Sequence, residues 1–112
     1  MSEHITELTV RQLRVSTVEA VLLVELTLAD VPDGAHVRGR IHGPRIPGED
    51  TLEDSFDIRD VRREGDHITA KFIVTEPLGW TEQRPFGYEG RVELWRDDAR
   101  LCERRFAVRF RT

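Results

Sequence analysis

Apolar residues recur at every second position along most of this chain. The clearest run extends from Val18 to Leu28. Its alternate positions are all apolar and would share one face of a strand: Val18, Ala20, Leu22, Val24, Leu26 and Leu28. Val21 and Leu23 lie on the opposite face, which indicates that this strand is partly covered on its second side or abuts another module or subunit. A period of two predicts β-strands rather than helices.

Seven segments show this pattern, separated by turn-forming clusters rich in glycine, proline and aspartate. The predicted strands are Glu7–Val15, Val18–Leu28, His36–His42, Leu52–Asp60, His67–Thr75, Phe86–Trp95 and Leu101–Phe110. Asp97 and Asp98 are predicted to close a hairpin between the last two. Seven short strands without a helix-length segment predict an all-β fold: one immunoglobulin-like, two-sheet antiparallel β-sandwich domain spanning residues 1–112.

Strand parity also predicts which side chains point into the space between the sheets. The expected inward set is Leu13, Val15, Leu22, Val24, Leu26, Val37, Ile41, Phe56, Ile58, Ile68, Phe72, Val92, Leu94, Phe106, Val108 and Phe110. Cys102 shares this parity and is expected to be a small buried apolar group.

Composition narrows the function classes. Apolar residues make up 38% of the 112 residues, enough for a core, while the net charge of −4 disfavours binding to nucleic acid or an anionic membrane. The longest apolar stretch, Ala20–Val24, is too short to cross a bilayer. The N-terminal residues lack the basic and apolar regions of a secretion signal, so a cytoplasmic location is expected.

Metal and nucleophile chemistry are not expected. Cys102 is the single cysteine, which excludes an internal disulfide and any multi-cysteine metal site. His36 and His42 lie at the two ends of one predicted strand, about 20 Å apart and too far for one ion. No cofactor-binding motif is present.

The stretch Pro77–Tyr88 carries a resemblance to a known family. Trp80 is followed after a short loop by Pro85, Phe86 and Tyr88, and the chain ends with Val108-Arg109-Phe110-Arg111. This pattern resembles the immunoglobulin-like sandwich domain of family-2 glycoside hydrolases, the β-galactosidase, β-glucuronidase and β-mannosidase group. There, a tryptophan precedes a Pro-aromatic-Leu-Tyr corner, and Gly-Phe-Arg closes the domain.

The sequence departs from that family pattern at several positions. Gly87 replaces the usual leucine, Thr81 and Glu82 replace a Ser-Pro pair, and Arg109 stands where the closing glycine would be. The resemblance covers Ile68–Arg111. In the family this sandwich is not catalytic, because both catalytic carboxylates sit on a separate barrel domain, and these 112 residues show no such barrel. The resemblance therefore implies a non-enzymatic module that binds or scaffolds.

Trp80 and Tyr88, which bracket Pro85, have the size to close one end of the core. A tyrosine early in the penultimate strand suits a corner in which its hydroxyl bonds to nearby backbone. We expect Trp80, Pro85 and Tyr88 to form such a structural corner, with a sugar-stacking platform as the alternative.

The candidate binding residues lie on one outer sheet face. If the third, sixth and seventh predicted strands share a sheet, that face carries His36, Arg38, Arg40, Glu89, Arg91, Glu93, Trp95, Glu103, Arg105 and Arg109. Opposite charges could alternate across it and simply keep the sheet soluble, at about 0.2–1 kcal/mol per pair.

Two sharper interpretations of this face remain open. Trp95 with Arg38, Arg40, Arg91 and Arg105 could bind a sugar or an anionic glycan. The face could also dock a protein. Self-association into a homo-oligomer is a third possibility, suggested by the apolar positions on the opposite sheet.

Overall fold

The computed structural model describes residues 4–110, and all of its regular structure is β. No helix in that range is long and apolar enough to cross a membrane. The strands are β1 (Ile5–Val15), β2 (Glu19–Leu28), β3 (Ala35–Arg45), β4 (Asp54–Asp57), β5 (Arg59–Glu64), β6 (His67–Thr75), β7 (Gly87–Arg96) and β8 (Ala99–Val108). The prediction of an all-β sandwich is confirmed.

The strands form two antiparallel sheets of four, in the orders β1-β2-β6-β5 and β4-β3-β7-β8. These orders match the two sheets of immunoglobulin-like domains, with β4 as an additional edge strand beside β3. The expectation that β3, β7 and β8 share one sheet is confirmed. Asp97 and Asp98 form the turn between β7 and β8, with Asp97 at a φ of 52°.

Eight strands form where the sequence predicted about seven, because the segment Leu52–Asp60 divides between the two sheets. β4 pairs with β3, whereas β5 pairs with β6. The chain changes sheets at Ile58, whose amide donates to the Gly39 carbonyl at 2.9 Å. The crossing uses no glycine or proline, so the alternating pattern continues through it without a visible break.

Leu13 was predicted to point inward, and this is wrong: 49% of its surface is exposed. β1 contains two irregularities of register, between Ile5 and Glu7 and between Gln12 and Arg14. Each bulge inserts an extra residue and moves the following side chains to the other face. Leu13 lies within the second bulge.

Val18 was predicted to begin the second strand and share its buried face, but it is 70% exposed. It lies in the turn before β2, where the Ser16 hydroxyl accepts hydrogen bonds from the Val18 and Glu19 amides, both at 3.2 Å. Such a local hydroxyl bond holds a turn in place of a strand.

The core lies between the two sheets and is densest around aromatic rings. Phe72 and Phe110 are fully buried, and the Phe72 and Phe106 ring centroids are 5.8 Å apart. The Phe106 ring covers Gly90, where an added Cβ would come within 2.2 Å of the ring. Only glycine leaves space for this ring position.

The second side of β2 is partly covered by the chain itself. Val21 is 8% exposed and lies between its cross-strand neighbours Arg14 in β1 and Ile73 in β6. Leu23 is half-buried between Arg11 and Lys71. Neighbouring strands of the same molecule therefore provide, for Val21, the cover that the apolar pattern predicted.

Candidate functional site

The outer face of the β4-β3-β7-β8 sheet carries all five candidate binding residues. Arg38 and Arg40 lie on β3, Arg91 and Trp95 on β7, and Arg105 on β8. We call this surface, with these five residues, the arginine face. Because β3, β7 and β8 are adjacent strands, the structure brings the five residues together on one surface.

Three of the arginines form a row across neighbouring strands, which we call the arginine row. Arg40 is the cross-strand partner of Arg91, and Arg91 is the cross-strand partner of Arg105. Side chains that are directly opposite in adjacent strands lie about 5 Å apart at Cβ, and like charges at that separation are unfavourable. Register thus places three positive charges side by side.

An acidic row lies next to the arginine row, with Glu93 on β7 opposite Glu103 on β8. The expectation that opposite charges alternate across the sheet is therefore wrong for both rows, although Arg38 does lie opposite Glu93. Opposite charges alternate instead along β7, at Glu89, Arg91 and Glu93. Sequence parity placed these residues on the correct face, but only the pairing register shows which of them are neighbours.

Arg100 joins the two glutamates and was missed by the sequence analysis. One of its guanidinium nitrogens lies 3.2 Å from the Glu93 carboxylate and 2.7 Å from that of Glu103. Arg100 lies just before the predicted strand Leu101–Phe110, whereas in the structure it is paired with Trp95 after an irregularity between Leu94 and Trp95 that turns it outward. A bulge of this kind leaves no clear trace in the sequence.

The arginines stabilise the charged form of Glu103. A hydrogen bond from Arg105 is the largest cause that lowers the pKa of Glu103, and the positive charges of Arg105, Arg100 and Arg91 lower it further. Glu93 is only 9% exposed, so this carboxylate is enclosed by its arginine partners.

The lowered pKa predicts a specific dependence of stability on pH. Glu103 should stabilise the fold above the pKa it has in the unfolded chain, and this contribution should be lost as the pH falls through its lower folded value. Glu103→Gln should therefore be less stable than the wild type at neutral pH, with a difference that shrinks in acid. Urea unfolding from pH 7 to below pH 4 measures it, with the exposed Glu64→Gln as control; a difference independent of pH would contradict the assignment.

Trp95 is half-buried, and the Arg38 side chain covers part of its ring. The Arg38 guanidinium carbon lies 4.4 Å from the centre of the Trp95 ring, a cation–π contact. The indole N–H is enclosed and has no hydrogen-bond partner among residues 4–110. A groove of about 560 Å³ runs beside this pair and is also lined by Arg40, Arg91 and Asp57. The polar groups that reach this groove are mainly guanidinium groups.

The predicted corner residues meet at the start of β7, the opposite end of that strand from Trp95. Tyr88 is 2% exposed, and its ring centroid lies 5.0 Å from that of Phe110. Its hydroxyl accepts a hydrogen bond from the Leu78 amide at 3.1 Å, so the tyrosine ties the preceding loop to the core. Burial is the largest cause that raises the pKa of Tyr88.

Trp80 is half-buried beside Tyr88 and forms a β-bridge with Pro85. Its amide donates to the Phe110 carbonyl at 2.7 Å, and the Arg109 guanidinium carbon lies 5.3 Å from its ring centre. A cleft of about 560 Å³ lies between these residues and the loop at 46–50 that follows β3. Arg111, the last residue of the expected closing motif, lies outside the described residues.

The histidine and cysteine side chains, the other candidates for metal binding or catalysis, do not lie together. Over residues 4–110, no group of three or more histidine, cysteine, aspartate or glutamate side chains is arranged to hold a metal ion. His42 and His67 each lie 3.8 Å from a glutamate, Glu89 and Glu25 respectively, in different sheets. Cys102 is half-buried and packs against the core.

The resemblance to the family-2 glycoside hydrolase sandwich stays a prediction that rests on Trp80, Pro85 and Tyr88. No family model matches the chain, and no curated protein matches its sequence.

Proposed function

We propose that this domain is a non-catalytic binding module, similar in role to the accessory sandwich of family-2 glycoside hydrolases, and that it binds an anionic glycan through the arginine face. The observation that carries this proposal is the arginine row. Arg40, Arg91 and Arg105 are aligned across three adjacent strands. A ligand that bears negative charges would relieve their mutual repulsion.

The arginine row keeps hydrogen-bond donors for such a ligand. Arg40 contacts Asp57 at 3.1 Å, Arg91 contacts Glu93 at 3.8 Å, and Arg105 contacts Glu103, in each case through Nε. A guanidinium group has five N–H donors, so one contact at Nε leaves others for carboxylate or sulfate oxygens. Like charges paired across strands lower the stability of a sheet, and unfavourable arrangements of this kind are expected mainly at functional sites.

The spacing of the row favours a ligand with several anionic groups. Neighbouring strands lie about 4.8 Å apart, so three adjacent strands present guanidinium groups over about 10 Å. A single small anion would use only part of that length. The net charge of −4 for the whole chain disfavours nucleic acid, which is attracted by a general positive field.

Glu93 and Glu103, the acidic row of this face, are unsuited to glycoside hydrolysis. A glycosidase requires one carboxylic acid with a raised pKa to protonate the leaving group. Glu103 has the opposite shift, because arginines hold it in the charged form. Glu93 is tied to the same Arg100. These contacts support binding rather than catalysis.

Titration with dextran sulfate, followed by tryptophan fluorescence, tests the proposal. We expect saturable binding that weakens with added salt, and no response to neutral dextran. Arg91→Gln removes the central charge of the row and should weaken binding at least about tenfold, since a hydrogen bond to a charged group contributes about 1.5–3 kcal/mol.

Arg11→Gln is the matched control, because Arg11 is an exposed arginine in an ion pair with Glu25 on the other sheet. Equal weakening by both variants would show a non-specific charge effect and contradict the assignment. Polyglutamate binding as tightly as dextran sulfate would identify an acidic protein segment as the partner instead. Absence of saturable binding to either polymer would exclude the site.

A further inference from the structure

One long side of the sandwich is formed by the two edge strands β4 and β5. They end different sheets, and the chain passes from one to the other at Ile58. We call this side the edge surface. Its first half consists of Leu52, Asp54, Glu76 and Leu78, around β4 and the end of β6; its second half is β5, with Arg59, Val61, Arg62 and Arg63.

The edge surface concentrates exposed apolar side chains. Five large hydrophobic residues are exposed in the described part of the chain, and three lie here: Leu52 at 96%, Leu78 at 44% and Val61 at 43%. Leu52 and Leu78 line a cavity of about 300 Å³ that is also bordered by Phe56 and Pro44. Clustering of this kind on one side marks an interaction surface, whereas single exposed leucines do not.

The cavity exists because β5 is shorter than β6. The pairing of β5 with β6 begins at Arg59 opposite Lys71, so β6 residues 72–75 have no β5 partner. β4, from the other sheet, faces this end of β6. The gap between these two edges forms the cavity, and unpaired strand edges are themselves favourable places for contact with another chain.

Charge divides the edge surface into two halves of opposite sign. Asp54 and Glu76 are exposed and both border the cavity. β5, in contrast, has three arginines against Asp60 and Glu64, and every residue of the strand is exposed. Each half therefore combines exposed apolar side chains with a charge that complements the other half.

We propose that the edge surface is the interface of a homodimer. A second copy, related by a two-fold axis near the β4–β5 junction, packs antiparallel along this side. Val61 of each copy then lies against the Leu52–Leu78 cavity of the other, and Arg62 and Arg63 lie against Asp54 and Glu76. A two-fold axis makes the contact close on itself, so each molecule satisfies both halves at once.

A second copy fits this surface better than an unrelated partner, because both complementary halves occur on one molecule. The domain measures 46 × 27 × 20 Å, so one long side offers roughly the 800 Å² per partner that a stable interface needs. The dimer does not depend on the arginine face, which lies on the broad outer surface of one sheet. Ligand binding and dimerisation can therefore succeed or fail separately.

Sedimentation velocity over a range of protein concentrations tests the dimer. We expect a monomer–dimer equilibrium whose dissociation constant rises with salt. Leu52→Asp should raise that constant at least about tenfold. Leu52 is 96% exposed, so the variant should keep the wild-type free energy of unfolding at protein concentrations where both are monomers. Leu13→Asp is the matched control, since Leu13 is an exposed leucine on β1, at the opposite edge of its sheet.

Charge exchange gives a second test that does not depend on apolar contacts. Arg62→Glu with Arg63→Glu should raise the dissociation constant about tenfold or more, and adding Asp54→Arg with Glu76→Arg should restore dimerisation. A wild-type monomer at every concentration would overturn the proposal. Dissociation by Leu13→Asp instead of Leu52→Asp, or failure of the charge exchange to restore the dimer, would place the interface elsewhere.

Discussion

Replacing Phe72 with alanine should lower the free energy of unfolding by about 3–5 kcal/mol, the usual loss when a buried phenylalanine is truncated. Phe72 is fully buried on β6, and its ring centroid lies 5.8 Å from that of Phe106 on the facing sheet. Removing the ring leaves a cavity between the sheets. Since the free energy of unfolding of such domains is about 5–15 kcal/mol, the variant should lose a large part of its stability.

Urea unfolding followed by tryptophan fluorescence measures this loss. Val18→Ala is the matched control, because Val18 is 70% exposed and its truncation should change the free energy of unfolding by no more than about 0.5 kcal/mol. In both variants the free energy of unfolding should fall with urea concentration at the same slope as in the wild type. A loss below about 1 kcal/mol for Phe72→Ala would mean that the two sheets do not pack through this ring.

Replacing Tyr88 with phenylalanine should cost about 1–3 kcal/mol, although it removes a single oxygen. The Tyr88 hydroxyl accepts the hydrogen bond of the Leu78 amide, and its loss leaves that amide without this acceptor. The ring itself would stay packed on Phe110, so the effect isolates the hydroxyl. Unfolding in urea at neutral pH measures the cost. A variant as stable as the wild type would show that solvent replaces the bond.

The same substitution changes how stability depends on pH in alkaline solution. Burial raises the pKa of Tyr88 above its ordinary value of 10.0, so the neutral phenol stabilises the fold at lower pH. That stability should be lost as the pH rises through the folded pKa, because the unfolded chain releases the proton more easily. Tyr88 is the single tyrosine, so its ionisation can be followed directly by ultraviolet absorbance. A midpoint at or below 10.0 would contradict burial of the hydroxyl.

The proposed ligand site and the proposed dimer interface use different parts of the same architecture. The arginine face is the flat outer surface of a sheet, where register aligns like charges. The edge surface is the side where both sheets end, where unpaired strand edges and exposed leucines are found. Arg91→Gln and Leu52→Asp can each serve as the control for the other experiment.

The fold class could be predicted from the sequence because it depends on local alternation. Residues such as Leu26, Ile68 and Ala70 lie between polar neighbours, and a period of two places such apolar residues on one face of a strand. The face on which each arginine lies follows from the same parity. The size of Trp80 and Tyr88, together with Pro85, likewise indicated where the chain turns a corner before β7.

Register and bulges could not be predicted, because they depend on which strands pair and how far each is shifted. The bulge at Leu13 reverses the side chains of β1, and the one beside Trp95 turns Arg100 outward. The passage between sheets at Ile58 is likewise fixed by a hydrogen bond to a distant residue, Gly39. A local pattern contains no information about these long-range partners.

The sequence by itself therefore determined that this chain forms two facing sheets. It also determined that many charged side chains lie on the outer face of one sheet and that an aromatic corner closes one end. Only the tertiary structure decided that Arg40, Arg91 and Arg105 stand in one row, and that Leu52 and Leu78 meet across a gap. The physical reason is that alternation assigns a side chain to a face, whereas pairing between strands distant in sequence assigns its neighbours.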